Sequence, residues 1–292
     1  MTVLVVGGSG MLGRAWMERL AKDGREARSL DLPDFDLTDA KALSVVDERA
    51  SLVVCCAAYT DVDGAETNED AANAVNGAAV AGLAGRCAQL GVPLIHYSTD
   101  YVFDGAATSP YPVDTPRAPL NAYGRSKATG EEAVETAYAQ STTPFLLIRT
   151  SWLYASWAKN FVLTMAHLTE ARDSLSVVDD QRGRPTSAVE LARVSLALFD
   201  AGASGTFHVT DGGECTWHGL ARFVAEHLGH RCDIQPCTTD AFPRPAPRPG
   251  YSVLDVTTTE AMAGALRPWQ RNVADVLDAW RSAAAETDEQ TS

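Results

Sequence analysis

Val3-Leu4-Val5-Val6-Gly7-Gly8-Ser9-Gly10-Met11-Leu12-Gly13 is the stretch on which the fold turns. A short apolar run, right for one buried strand, leads straight into Gly7, Gly10 and Gly13, after which Met11, Leu12, Trp16 and Leu20 recur at helical spacing. In such a strand-turn-helix the first glycine permits the tight turn, the second lets the backbone approach a pyrophosphate, and the third allows the helix to pack closely on the strand. The helix N-terminus adds unpaired N–H groups and positive dipole for an anion. The stretch therefore predicts a dinucleotide-binding start, with Gly7, Gly10, Met11, Leu12 and Gly13 against the coenzyme.

Outward from this point, apolar runs alternate with amphipathic ones. Ala27 to Asp31, Leu52 to Ala58 and Pro93 to Ser98 read as strands, and Ala40 to Arg49 and Ala71 to Leu90 as helices. The strands are apolar throughout, as parallel strands covered on both faces must be. The expected class is α/β, a Rossmann-type doubly wound parallel sheet. Thr99 to Asn121 carries Pro110, Pro112, Pro116 and Pro119 and reads as a long loop, a kind that is usually functional. Past a helix near Tyr123 and a strand from Phe145 to Ile148 the alternation weakens. The second half predicts a smaller, discontinuous α/β substrate domain: residues 1–150 form the dinucleotide-binding domain, rejoined by about 187–210, while 151–186 and 211–285 form the substrate domain and 286–292 a disordered polar tail.

Composition narrows the partners. The 292 residues are 46% hydrophobic and 21% charged, and no apolar run approaches the roughly 20 residues that span a bilayer. With no signal-peptide pattern at the start, a cytoplasmic protein without a membrane partner is expected. The formal charge of -14, without clustered Lys and Arg, argues against nucleic acid and makes each arginine informative as the holder of a small anion. Cys55, Cys56, Cys87, Cys215, Cys232 and Cys237 are scattered, with neither a CxxC pair nor zinc-ligand spacing, so no metal site is expected.

Several residues carry chemistry. Asp31 follows the glycine loop by about 20 residues, where an acid accepts hydrogen bonds from the adenosine ribose and favours NADH. Arg14, Arg25 and Arg28 are near enough in sequence to serve a 2'-phosphate, so NADPH stays open. Asp36 and Leu37 cover the adenine, or Asp36 is an ordinary helix cap. Ala57 and Ala58, followed by Tyr59, end the third strand, where small side chains let a coenzyme lie across the sheet edge. Tyr123 and Lys127 share a helical face at i and i+4, where the cation is expected to lower the phenol pKa and make Tyr123 a general acid for a carbonyl. Thr99, at a strand end, adds a hydroxyl hydrogen bond to the same oxygen. Both Tyr123 and Lys127 also fall within reach of the coenzyme.

Beyond these, Ala57 to Glu66, His96 to Phe103, Pro119 to Lys127, Arg149 to Tyr154, Asn160-Phe161, Asp180 to Thr186 and Arg248-Pro249 resemble the extended short-chain dehydrogenases/reductases and, within them, the dTDP-4-dehydrorhamnose reductase family. The resemblance covers nearly the whole chain. It implies a catalytic set of Thr99, Tyr123 and Lys127, and a dTDP-sugar partner approached by Val62, Thr99, Asp100, Tyr101, Phe103, Trp152 and Asn160. Without the resemblance, Trp152 and Tyr101 read equally as core aromatics, and Asn160 as a helix cap. Arg184 and Arg248 are candidates for the substrate pyrophosphate because guanidinium groups pair bidentately with phosphate. Arg149 reads as a structural ion-pair residue and His96 as a core histidine.

The expected reaction is NADH- or NADPH-dependent reduction of the 4-keto group of dTDP-4-dehydro-L-rhamnose by a monomer or homodimer. A divalent metal such as Mg2+ is admitted, but no residues mark a site for it. Two rivals stand beside this reading: a 4-ketoreductase for another dTDP-4-keto-6-deoxysugar, and a cofactor-binding regulatory subunit without turnover. Ala155-Ser156-Trp157-Ala158-Lys159 replaces a stretch in which the family commonly has glycine, and Trp157 is expected to reshape the sugar pocket.

Overall fold

The computed structural model describes residues 2–283 in full and, for 284–291, only the course of the last helix. The expected tail at 286–292 lies outside the fully described residues. In chain order the first half holds β1 (Thr2–Val6), α1 (Met11–Lys22), β2 (Ala27–Leu30), β3 (Ala50–Cys55), α2 (Val62–Ala65), α3 (Glu69–Asn73), α4 (Val80–Leu90), β4 (Leu94–Thr99), α5 (Ala122–Tyr138) and β5 (Phe145–Thr150). The second half holds β6 (Leu153–Tyr154), α6 (Phe161–Ala171), β7 (Ser174–Val178), β8 (Arg182–Gly183), β9 (Thr186–Ser187), α7 (Ala188–Asp200), β10 (Gly205–His208), β11 (Cys215–Thr216), α8 (Trp217–Leu228), β12 (Asp233–Cys237), α9 (Thr257–Ala263) and α10 (Trp269–Thr291).

Six parallel strands form the central sheet in the order β10-β5-β4-β3-β1-β2. The order reverses between β1 and β3, and the carboxyl ends of these strands are where doubly wound sheets bind ligands. On one face α1 and α7 bury Leu12, Trp16, Leu20, Leu191 and Val194, and on the other α4 and α5 bury Leu83, Cys87, Val134 and Tyr138. A buried polar chain ties three elements of the first face: Trp16 Nε1 donates to Tyr97 Oη at 2.7 Å, which donates to Ser195 Oγ at 2.8 Å. A separate apolar cluster joins α6, α8 and α10 through Val162, Leu220, Val224, Val273 and Leu277.

Two expected helices differ. Between Ala40 and Arg49 only a 3-10 turn forms, at Ala42–Val45. The Asp39 and Asp47 carboxylates there accept from the N–H groups of Lys41 and Arg49, and such local bonds compete with helix. The run from Ala71 to Leu90 is helical but passes through a π turn at Ala74–Ala79, a feature frequent beside functional sites.

Candidate active site

The site begins at the glycine loop. Gly7 has φ +78°, and a Cβ placed on it would lie 2.8 Å from the Ala57 nitrogen. At Gly13 a Cβ would lie 2.0 Å from the Gly7 carbonyl oxygen, so loop, α1 and β3 approach more closely than side chains permit. Helix α1 has no side-chain hydrogen bond at its N-cap, Gly10. Its first-turn N–H groups thus remain donors for an anion, which suits a dinucleotide diphosphate.

Asp31 stands just past β2 and accepts from Ser9 N at 2.9 Å, from Ser9 Oγ at 2.6 Å and from Ser29 Oγ. Burial raises its pKa, but the bonds from Ser29 and Ser9 outweigh this and hold it below the usual carboxylate value. Of the three arginines weighed for a 2'-phosphate, Arg25 is bound by both oxygens of Asp200 at 2.9 and 2.6 Å, Arg14 is paired with Glu18 at 2.8 Å, and Arg28 is exposed on β2 with no ion pair among the described residues. Asp36 is exposed and accepts from Thr38 N and Oγ1, so it caps a turn. Leu37 is buried among Phe35, Leu43 and Val46. The exposed apolar side chain beside Asp31 is Leu32, at 73% exposure, which sequence reasoning missed.

Ala57, Ala58 and Tyr59 line the next edge, half-buried. Asn76, in the π turn, holds this segment by accepting from Tyr59 N at 2.9 Å and donating to Tyr59 O at 3.0 Å. Its amide also donates to Ser126 Oγ at 3.0 Å and so fixes α5 to the same edge. Nothing local in the sequence singles Asn76 out.

Thr99 closes β4, and its hydroxyl donates to Asp100 Oδ1 at 3.0 Å. Tyr123 lies in the first turn of α5, which is capped by Asn121 accepting from Gly124 N at 2.7 Å. Burial and the nearby Asp100 carboxylate push the Tyr123 phenol up to about 12, against a smaller lowering by the Thr99 hydroxyl. The expectation that Lys127 lowers it is not met. The buried Lys127 ammonium instead donates to the Tyr97 carbonyl at 2.6 Å, and burial lowers its own pKa to about 8. Asp100 is buried and pushed up to about 6 by desolvation. His96 is fully buried in β4, with neither ring nitrogen partnered among the described residues, and burial and Lys127 keep it neutral.

Beyond Tyr123 lies a cavity of about 780 Å³. Tyr101 lines it and meets Tyr123 edge to face, with centroids 6.1 Å apart. Arg248 lines it too: its guanidinium sits 5.8 Å from the Tyr101 ring centroid and 3.0 Å from Asp63 Oδ1.

Phe103, Asn160, Trp152, Val62 and Arg184 are not among the side chains that line this cavity. Phe103 is 1% exposed and stacked on Tyr111 at 4.5 Å, so it is core, the loop having folded back to cover it. Asn160 takes the cap role: its amide donates to the carbonyls of Ala155 and Ala158 and accepts from Leu163 N. Trp152, at φ +49°, stacks on Trp217 at 3.6 Å, and it is Trp217 that lines the cavity. Val62 lies half-buried on α2 beside Asp63, which takes the cavity position. Arg184 is half-buried away from the cavity lining, its carbonyl accepting from Ser151 Oγ at 2.6 Å.

Arg244, 3.8 Å from Asp63, and Arg172 also line the cavity and were missed, although Arg244 shares the proline-rich stretch with Arg248. Trp157 does not enter the cavity and packs against α1. Among the described residues no group of three or more His, Cys, Asp or Glu is placed to hold a metal ion, and no helix is long and apolar enough to cross a membrane.

Residues 1–282 match the family described as RmlD substrate binding domain. The chain is 40% identical to a dTDP-4-dehydrorhamnose reductase of Mycobacterium tuberculosis, over 95% of this chain and 92% of that one. It is 41% identical to a dTDP-4-keto-6-deoxy-D-glucose reductase of Streptomyces niveus, over 86% and 87%. The crystal structure of dTDP-4-dehydrorhamnose reductase from Bacillus anthracis, in complex with NADP, superposes with a TM-score of 0.89 at 31% identity and covers 94% of this chain and 98% of that one.

Proposed function

From the premise that this chain belongs to the RmlD substrate binding domain family, we propose that it is a reductase of dTDP-4-dehydro-L-rhamnose, with Thr99, Tyr123 and Lys127 as its catalytic set. One observation supports the residue roles above all others: Tyr101 joins Tyr123 to a cavity that Arg248 faces. An acid at one end and a cation at the other is what a sugar ketone joined to a diphosphate requires.

Reduced nicotinamide coenzyme, bound on the glycine loop and the ends of β1 and β3, supplies the hydride to the carbonyl carbon. Tyr123 gives its hydroxyl proton to the carbonyl oxygen, and the product alcohol has gained one hydride and one proton. A phenol held at about 12 is protonated throughout the neutral range, the form a proton donor needs. The Thr99 hydroxyl hydrogen-bonds to the same oxygen and orients it. Lys127, one turn along α5 and hydrogen-bonded to the Tyr97 carbonyl, is assigned to the nicotinamide ribose rather than to the phenol. Arg248 and Arg244 pair with the substrate diphosphate in exchange for Asp63, while Trp217 forms the apolar wall. In the resting site these arginines already have a carboxylate partner, so neither is a buried unpaired charge. The test is turnover with purified protein: oxidation of NADH that depends on dTDP-4-dehydro-L-rhamnose supports the assignment, and its absence with either nicotinamide coenzyme refutes it.

The 41% identity to the Streptomyces niveus reductase favours one second reading, reduction of another dTDP-4-keto-6-deoxysugar by the same residues.

NADH is the preferred coenzyme because Asp31 is held ready by Ser9 and Ser29; Arg14 and Arg25 are paired elsewhere, and only the exposed Arg28 is left to meet a 2'-phosphate. Asp31→Ala removes a charged acceptor of about 1.5–3 kcal/mol. The NADH/NADPH ratio of kcat/KM is expected to fall about tenfold to a hundredfold. A ratio unchanged by the substitution would remove Asp31 from coenzyme selection.

A further inference from the structure

Trp157 lies in the loop of residues 155–160 that leads from β6 to α6. Its side chain packs against α1, beside the apolar cluster that holds Leu12, Trp16 and Ala155. The indole Nε1 donates to the Met11 carbonyl at 3.3 Å, and the Arg14 guanidinium lies 4.9 Å from the ring centroid. Met11 opens α1, the helix whose N-terminal N–H groups have no side-chain cap, and Arg14 follows one turn later.

The loop that carries Trp157 is itself held. Ala155 is fully buried, Asn160 donates to the carbonyls of Ala155 and Ala158 at 2.7 Å each, and Tyr154 donates to the buried Asp211 at 2.5 Å. Arg14 is fixed on its other side by Glu18, at 2.8 Å. A cation near a helix N-terminus opposes the helix dipole, so the charge has to be steadied by local partners. Here one partner is a carboxylate and the other an aromatic face.

We infer that Trp157 is a positioning residue for the coenzyme. It clamps the first turn of α1 and the Arg14 guanidinium in the arrangement that receives the dinucleotide diphosphate, and thereby ties coenzyme retention to the loop between β6 and α6. This rests on the reading of the glycine loop as the coenzyme site. It also moves the influence of Trp157 from the sugar pocket, where it was expected, to the coenzyme.

The experiment titrates the protein with NADH and, separately, with dTDP, by calorimetry and without turnover, for wild type, Trp157→Ala and Trp157→Phe. Trp157→Ala is expected to weaken NADH binding about fivefold to tenfold, the loss of one cation–aromatic contact and one weak hydrogen bond. The dissociation constant for dTDP should stay within about twofold, since no contact to the cavity is lost. Trp157→Phe keeps a ring under Arg14 and should recover most of the NADH affinity. Unchanged NADH affinity in Trp157→Ala overturns the inference, as does an equal loss for NADH and dTDP, which would mark general loosening of the fold. Should Trp157→Ala fail to fold, Trp157→Leu, which keeps an apolar side chain but no ring, replaces it: an NADH loss of about threefold or more with dTDP affinity kept supports the clamp, and a smaller loss overturns it. A wild-type chain that binds NADH but reduces no dTDP-4-keto sugar would refute the proposed reaction and leave this inference standing, whereas a wild-type chain that binds no NADH refutes it.

Discussion

Tyr123→Phe is expected to lower kcat by about 10²–10⁴-fold, the usual worth of a placed general acid, while NADH affinity stays within about twofold. The substitution removes one oxygen and leaves the ring that meets Tyr101 edge to face, so cavity and helix α5 keep their shape. It also removes a phenol that burial and Asp100 hold at about 12, protonated wherever the enzyme would work. Because the loss falls on the proton-transfer step, kcat and kcat/KM should fall together. Steady-state rates and a coenzyme titration on the same preparation check this. A variant that retains more than about a tenth of wild-type kcat would remove Tyr123 from the role of acid.

Glu131→Ala is expected to cost about 3–5 kcal/mol of stability, because it strands a buried charge. Glu131 is fully buried and accepts from Arg149 Nε at 2.9 Å, from Arg149 Nη2 at 2.7 Å and from Arg117 Nη1 at 3.1 Å. The bonds to Arg149 and Arg117 outweigh burial and hold the Glu131 carboxyl below its usual pKa. Arg149 is 3% exposed, so without the carboxylate its charge has no compensating partner of comparable strength. The consequence reaches the site. Arg149 also donates to the Val113 carbonyl at 2.8 Å and lies 5.0 Å from the Phe103 ring centroid, so this ion pair fastens the long loop between β4 and α5 onto the sheet. Denaturant unfolding of the two proteins measures the difference, and a loss below about 1 kcal/mol would mean that the pair contributes no more than a surface bridge.

The parts of the site legible in the sequence are those set by short-range geometry. Gly7, Gly10 and Gly13 announce themselves because one strand-turn-helix needs all three, and Tyr123 and Lys127 because i and i+4 share a helical face. The sheet is legible for a related reason, since strands covered on both faces leave continuous apolar runs. What escaped the sequence depends on chain segments far apart. Trp217, Gln181 and Arg244 reach one cavity from α8, from the turn before β8 and from the proline-rich stretch. Phe103 lies four residues from Thr99, yet the stacking of Tyr111 on its ring turns it into core. For Asn160 the ordinary reading prevailed, because its amide is fully engaged in capping α6. Trp157 meets a residue 146 positions earlier in the chain, a contact no local pattern encodes. The Tyr123 pKa runs against expectation for a simple reason: i and i+4 spacing makes the Lys127 ammonium a neighbour of the phenol, but the Tyr97 carbonyl claims it.

The proposed reaction is tested most directly by giving the purified protein dTDP-4-dehydro-L-rhamnose with NADH carrying deuterium at both nicotinamide C4 positions, and locating the label by NMR. The expected result is deuterium at C4 of the sugar in dTDP-L-rhamnose, with no label at C3 or C5. A product without deuterium at C4, or consumption of the coenzyme only with some other 4-keto sugar, would contradict it.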